Sequence, residues 1–569
     1  MTRSRDTNCP RLVEVAMPIR EISAESVRDK SLRHGHISTL HLWWARRPLA
    51  ASRAVVFASL VPDPDDPRCP EKFKKAVERY LIENVPSVLK SYARKKDWVR
   101  DEDPYRPYHG VPDTLRNRLL MFVAKWSPES VAFDAGKRKK APVPKELLDD
   151  RSLVKWETSD PENAQGREVL RIARELVKAA DGVEAPVVLD PFSGGGAIPL
   201  EAGRLGCQPI ANDYNPVAYL ILRATCEFPQ KYGKPGIRKT MVATSDAPEL
   251  FASQAEKCGK RGEAEIEVAN VLVHDFEHWA NWVLERAREK IGHLYPPGMD
   301  KRPVIGYLWA RTAPCSNPTC RGEIPLLRSL LVCNKKDKQV ALTMDVDKKR
   351  KTARFGIAEG KAIKTTDGTM VNRGSARCPF CDQVTSNDAL IRAGQGGHMG
   401  ELPVAVIIET NGSKGYRLPE DQDLAAFEEA RKLSERCERP SEPMPHFRNI
   451  NLDLYGLYTW GSLFNQRQLV AMQTFVSCLH EALAAMKKEI KDDEYRKAVG
   501  VYLGLWVSRS SMFQSNVGLW KPSGEFVAAP FSMQAIPMVW DYPETSLFAD
   551  ASGGASGQLD WIKRFIIHE

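Results

Sequence analysis

The chain has no run of about 20 apolar residues, the length a membrane-spanning helix needs, and its opening, MTRSRDTNCPRLVEV, has no apolar stretch of the signal-peptide kind. These two absences point to a cytoplasmic protein. No internal repeat is present, so the chain is not read as an array of like units. Nor is there a large surplus of one charge. The 82 basic residues against 73 acidic give a net +9 over 569 residues, which is compatible with a nucleic-acid partner without demanding one. What is present is ordinary globular material, 43% hydrophobic and 27% charged. At roughly 100–200 residues per domain, three or four units are expected.

Twelve cysteines in a cytosolic chain argue against a disulfide scaffold and toward metal ligands or buried thiols. Basic residues cluster at Lys137-Arg138-Lys139-Lys140, Lys335-Lys336-Asp337-Lys338 and Lys348-Lys349-Arg350-Lys351. Each cluster could contact phosphates; the blander reading of each is a solvated loop.

Five stretches are distinguished. Residues 1–60 hold an amphipathic run ending in STLHLWWARRPLAASRAVVFASL, a loop entering a helix. Residues 61–165 are charged and helix-leaning, with the joints VPDPDDPRCP and DEDPYRPYHG. Residues 166–305 read as helix, strand, Gly-rich turn, helix, strand, helix. Residues 306–410 are short strands and turns around the cysteines. From 411 to 569 the chain is mainly helical, with apolar residues at three- and four-residue spacing.

The most informative segment is VVLDPFSGGGAIPLEAGRLGCQPIANDYNP. An apolar strand ends on Asp190, and Gly194, Gly195 and Gly196 open a helix, where the backbone must turn tightly and approach a ligand without Cβ atoms in the way. About 20 residues further on an acidic side chain is expected to receive ribose hydroxyls, and Asp213 stands 23 positions after Asp190. A dinucleotide would fit the same turn. A carboxylate ending the strand instead suits the cationic methionine moiety of S-adenosylmethionine and repels a pyrophosphate. The predicted cofactor residues are Asp190, Pro191, Phe192, Gly194, Gly196, Asp213 and Asn215.

Cys315 and Cys320, in APCSNPTCRG, and Cys378 and Cys381, in SARCPFCDQ, form two knuckle-like pairs. Two such turns complete a tetrahedral shell of four thiolates, a structural zinc site with no position left for water. The 57 residues between the pairs, 321–377, exceed what a compact ribbon needs. They include Cys333, either a spare ligand or a buried thiol. A redox CxxC is disfavoured, since no thioredoxin-like strand-to-helix context surrounds it.

The segments RHGHISTLHLWWARRPLAASRA, LDPFSGGGAIPLEA with ANDYNPVAY, IGHLYPPG, YLWARTAPCSNPTC with EIPLLRSL, and YGLYTWGSLFNQRQL occur in this order. From about residue 11 onward the chain resembles the zinc-ribbon-containing adenine-specific DNA methylases, whose N-terminal region is the DUF1156 domain. The DPF-x-G-x-G form resembles the cofactor motif of amino-group DNA methyltransferases, in which the aromatic residue lies beside the cofactor. The resemblance implies an α/β, Rossmann-like S-adenosylmethionine-dependent core with an inserted zinc ribbon and helical regions, and methyl transfer to N6 of an adenine flipped from duplex DNA. A role in restriction-modification or phage defence would follow. An RNA or small-molecule methyltransferase would share the cofactor loop.

Amino methyltransferases hold the target amine in an Asp/Asn/Ser-Pro-Pro-aromatic loop, which this chain lacks. Its one Pro-Pro pair, Pro296-Pro297, follows Tyr295 and precedes glycine. The sequence is therefore expected to be an N-terminal portion of such an enzyme, an incomplete core completed by a second polypeptide, or else a non-catalytic zinc-containing DNA-binding or specificity protein. No catalytic residue is named. Trp43, Trp44, Arg46, Arg47 and Arg53 could close over the cofactor or the flipped base, or grip a phosphate; alternatively the tryptophans are core and the arginines pair with carboxylates. His34, His36 and His41 are read as structural.

Overall fold

The computed structural model describes residues 9–29, 36–43, 46–89, 103–107, 110–124, 164–242, 262–299, 301–410, 412–528, 530–532, 535–551 and 553–568. Trp44, His34 and the Lys137–Lys140 cluster lie outside them. The fold is mixed α/β and divides into two compact units, one of residues 1–270 with 564–569 and one of residues 271–563. The boundary at 270/271 runs through the stretch 166–305 and assigns its last helix to the second unit.

The first unit is built on helices α1 (Ile19–Asp29), α2 (Leu49–Leu60), α3 (Glu71–Glu78), α4 (Leu115–Ala124) and α5 (Ala164–Asp181). LAASRAVVFASL in α2 has no polar stripe, as suits a helix covered on most sides; Ala54, Phe57 and Ala58 are fully buried. In α5 the apolar residues recur at helical spacing, and Ile172, Ala173 and Leu176 enter one core with Phe57, Phe73 and Phe122. Gly182, at φ +65°, ends the helix, the left-handed residue a helix C-terminus favours. Then β1 (Val187–Asp190), α6 (Ala197–Arg204), β2 (Gln208–Ala211) and α7 (Pro216–Cys226) follow. Strands β1 and β2 run parallel, with Val187 opposite Gln208 and Asp190 opposite Ala211. Among the described residues β1 pairs with no other strand. The hairpin of β3 (Gly236–Val242) and β4 (Gly262–Val268) is antiparallel.

The second unit opens with α8 (Val271–Ile291). Its main sheet is antiparallel, with β5 (Val304–Pro314) at the centre between β13 (Gly400–Thr410) and β17 (Asp541–Thr545); β6 (Glu323–Leu326) pairs the end of β5, and β14 (Ser413–Arg417) is the far edge. Two small three-stranded sheets fill the stretch between β6 and β13: β7 (Leu331–Lys335), β8 (Lys338–Asp347) and β9 (Thr352–Glu359), then β10 (Met370–Val371), β11 (Ser375–Arg377) and β12 (Val384–Thr385). The antiparallel hairpin of β15 (Leu519–Lys521) and β16 (Phe526–Ala528) and helices α9 (Asn387–Gln395), α10 (Asp421–Ser434), α11 (Gln466–Glu489) and α12 (Asp493–Ser511) belong to the same unit. By length and composition alone α11 could cross a membrane, but half of its most apolar window is buried in the fold, and its Arg467 forms a buried ion pair with Glu544 at 2.5 Å.

Candidate cofactor turn and metal centre

The Gly-rich turn is fixed by backbone geometry and one carboxylate. Gly194 and Gly196 stand at φ +51° and +85°, a region that side chains with a Cβ seldom enter. The chain leaves β1 at Asp190, whose carbonyl accepts from the Asn212 N–H at 3.0 Å and whose carboxylate accepts from the Phe192 N–H at 3.2 Å. Asp213, just past β2, accepts from the Gly194 N–H at 2.8 Å and from the Asn215 N–H at 2.9 Å. One side chain thus ties the turn to the start of α7, which Asn215 caps by accepting from the Val217 N–H. Six of the seven predicted cofactor residues therefore lie in or beside one bonded turn, and Asn215 lies one hydrogen bond from it. The mouth is open: Phe192 is 82% exposed and Tyr214 97%.

Trp43 packs on this turn. A Cβ placed on Gly194 would lie 2.5 Å from the indole Nε1, and one on Gly195 would lie 3.1 Å from the Trp43 Cβ. The absence of side chains at 194 and 195 thus makes room for an aromatic ring from the N-terminal segment. A buried cluster joins residues that precede and follow Trp43 in the sequence. His36 Nε2 bonds Asp29 at 2.7 Å, and Arg46 reaches His36 Nδ1 at 2.7 Å. Burial would raise the Asp29 carboxyl, but the hydrogen bond from His36 and the charge of Arg46 hold it below the usual carboxylate range. Arg53, on α2, is buried and bonds both oxygens of the fully buried Glu201 on α6, at 2.6 and 3.2 Å. Arg47 is exposed. It lies with Pro48, Val55, Val187 and Ile198 on a cavity of about 490 Å³ beside β1. Glu201 and Asp29 carry no signal of these roles in the sequence. Glu201 stands inside the quoted motif, but its partner is 148 positions away, and no local pattern encodes such a pair.

The four expected cysteines converge. Among the described residues they form the one cluster suited to a metal, every sulfur within 4.8 Å of the others. The Cys315–Cys381 and Cys320–Cys378 sulfurs are 3.7 and 3.8 Å apart. A tetrahedron of thiolates at about 2.3 Å from a zinc ion has sulfur–sulfur edges of about 3.8 Å, so the spacing fits a tetrahedral ion and is far too long for a disulfide. Each knuckle closes on itself: the Cys315 N–H bonds the Gly322 carbonyl, and the Cys378 N–H bonds that of Gln383, both at 2.9 Å. The residue after each pair, Arg321 and Asp382, is left-handed, at φ +49° and +62°. The two knuckles interlock, since a Cβ on Gly322 would lie 2.4 Å from the Phe380 ring. The backbone N–H of Gln383 draws the Cys381 thiol down to about 7, while burial pushes Cys378 up to about 12. Cys333 is not part of the cluster; it is buried elsewhere, among Val332, Val340 and Trp520.

No match was found among curated proteins. None was found among solved structures either. Residues 16–85, the segment that sets Trp43 on the Gly-rich turn and Arg53 on Glu201, match the family model described as "Protein of unknown function (DUF1156)".

Proposed function

We propose that the chain is an S-adenosylmethionine-dependent DNA methyltransferase acting on adenine N6, or the cofactor-binding subunit of one, working in the cytoplasm in restriction-modification or phage defence. The observation that carries this reading is the βαβ unit itself. A strand ending on a carboxylate leads into a left-handed glycine turn, and the carboxylate of Asp213 after the neighbouring parallel strand is bonded into that turn. Crevices at the carboxyl ends of parallel strands are where such folds bind their ligands. The bound cofactor would supply a methyl group on a sulfonium centre. Asp190 and Asp213 would favour its cationic and hydroxyl-bearing parts, Gly194 to Gly196 would let the backbone approach, and Phe192 and Trp43 would flank it. Catalysis of such an in-line transfer rests mainly on positioning and electrostatics.

The structural metal in this reading is zinc at Cys315, Cys320, Cys378 and Cys381, filling its shell with thiolates. A partner polypeptide bringing an amine-holding loop would complete the site. Parallel sheets are ordinarily covered on both faces, whereas Val187 and Leu189 on β1 are 58% and 63% exposed. A second reading, a zinc-containing DNA-binding or specificity protein that retains the fold without catalysis, is favoured by the missing loop: Tyr295, ahead of the Pro-Pro pair, is buried, and the Pro297 carbonyl is taken by Gln422. Transfer of labelled methyl groups to DNA and RNA, with and without the product of a neighbouring gene carrying such a loop, tests the choice. Label in DNA only supports the first reading; label in neither, with cofactor bound and DNA bound, supports the second; label in RNA only replaces both.

A further inference from the structure

We propose that the turn Lys348-Lys349-Arg350-Lys351, joining β8 to β9, is the surface by which this chain grips the phosphate backbone of a DNA duplex, and that the tetracysteine centre is its foundation. This rests on the DNA reading above and deepens it. The turn is docked on the knuckles rather than loose in solvent. Val346 and Ala353, at the hairpin's end, pack against the cluster that contains Cys315, Cys320 and Cys378. Lys351 donates to the Thr319 carbonyl at 3.2 Å and to the Cys320 carbonyl, and Lys348 pairs with Asp382 of the second knuckle at 3.3 Å. Asp347 closes the turn from within, its carboxylate accepting from the Lys349 and Arg350 N–H groups, each at 2.9 Å. Two of the four cations are therefore anchors, and the remaining two point the charge outward. Arg350 is 79% exposed, with only a 3.9 Å approach to Asp347. Lys349 is exposed, with no ion-pair partner among the described residues. Arg321, in the left-handed position after Cys320, whose carbonyl Lys351 holds, is exposed as well.

The other basic cluster among the described residues makes the contrast. Lys335 and Lys338 both reach the one carboxylate of the buried Glu525, so these two cations are drawn inward onto the fold rather than offered to solvent. The Lys348–Lys351 turn keeps a surplus of cations on a rigid, exposed tip, which is what polyanion backbone binding asks for. The long insertion between the cysteine pairs thereby acquires a use: it builds the hairpin that the metal centre carries.

The experiment uses the full chain, zinc-loaded, and a 30-base-pair fluorescein-labelled duplex of mixed sequence, with anisotropy followed over a range of potassium chloride. The variant K349A/R350A is compared with K487A/K488A, an equal charge change on the last, exposed turn of α11. Each lost phosphate contact lowers the slope of log affinity against log salt by about 0.9. The turn variant is expected to lose about two units of slope and roughly tenfold in affinity at moderate salt, at unchanged zinc content, while K487A/K488A binds as wild type. An unchanged slope, an equal loss in K487A/K488A, or no duplex binding by wild type at low salt overturns the proposal; so does preference for an RNA duplex of the same length. Calorimetry with S-adenosylmethionine on the same preparations separates this from the methyl-transfer reading. Cofactor binding with no slope change sinks the surface alone, and a slope change without cofactor binding sinks methyl transfer alone.

Discussion

The metal centre and the Gly-rich turn are both assembled from short sequence motifs, yet they differ in how complete they are. At the tetracysteine cluster four sulfurs converge at tetrahedral spacing, three of the four residues are buried, and each knuckle satisfies its own backbone. All four candidate ligands come from one unit of this chain. At the turn the backbone is equally well fixed, but Phe192 and Tyr214 face solvent and the sheet beneath has two strands among the described residues. The difference teaches that a coordination shell can be finished locally, whereas a cleft at the end of a sheet is finished by whatever else joins that sheet.

The largest expected effect falls on the metal centre. Replacing Cys378 with serine removes one of four thiolates from a site whose ion, in small zinc domains, contributes about 10–16 kcal/mol of apparent binding free energy at pH 7. Metal analysis is expected to show one zinc per wild-type chain and none in the variant, with a lower melting temperature for the second unit; full zinc retention would remove the site from the comparison. The centre is also expected to release its ion in acid. Ligation requires ionised thiols, and burial pushes Cys378 up to about 12, so binding expels protons and affinity falls as pH is lowered. A chelator competition should show at least about a tenfold weaker site at pH 6 than at pH 8.

Next in size is the buried pair behind the turn. Glu201→Gln removes the buried carboxylate that pairs with both Arg53 and Arg204, a change that costs about 3–5 kcal/mol, to be read in denaturant unfolding of the full chain. An unchanged midpoint would mean the N-terminal segment does not clamp the turn as described. Gly194→Ala is a milder change. Its Cβ meets Trp43 Nε1 at 2.5 Å at a left-handed φ, a conformation costing about 1–2 kcal/mol for a non-glycine residue, and cofactor affinity should fall by roughly tenfold with zinc content untouched. The smallest expected change is in Asp29→Asn, which removes a carboxylate held below its usual range by His36 and Arg46 after burial is overcome. A depressed carboxyl stabilises the fold above its unfolded value, and that gain is lost as pH falls through its folded value. The difference in melting temperature between wild type and variant should therefore shrink as pH is lowered below about 4.

How much of this was legible in the sequence follows the same division. Each cysteine pair, the turn at 194–196 and the helical period of GREVLRIARELVKAAD depend on neighbours within a few positions, and Asp213 on the fixed length of a strand–helix–strand unit, so sequence spacing carries that information. Glu201 against Arg53, Asp29 against His36, and Lys351 against the Cys320 carbonyl join residues whose spacing follows no periodicity, so only the folded chain reveals them. The resting place of Trp43 on Gly194 lies between these cases, because the motif announced an aromatic segment and a bare backbone without showing that one fills the other. The antiparallel sheet centred on β5 was likewise hidden, since its strands are drawn from three distant stretches.

The most direct test of the cofactor reading is titration calorimetry of the full chain with S-adenosylmethionine, wild type beside Asp213→Asn. One site per chain, weakened about tenfold in the variant as expected for loss of a charged acceptor, is the predicted result. No heat of binding at millimolar cofactor in the wild type would contradict it.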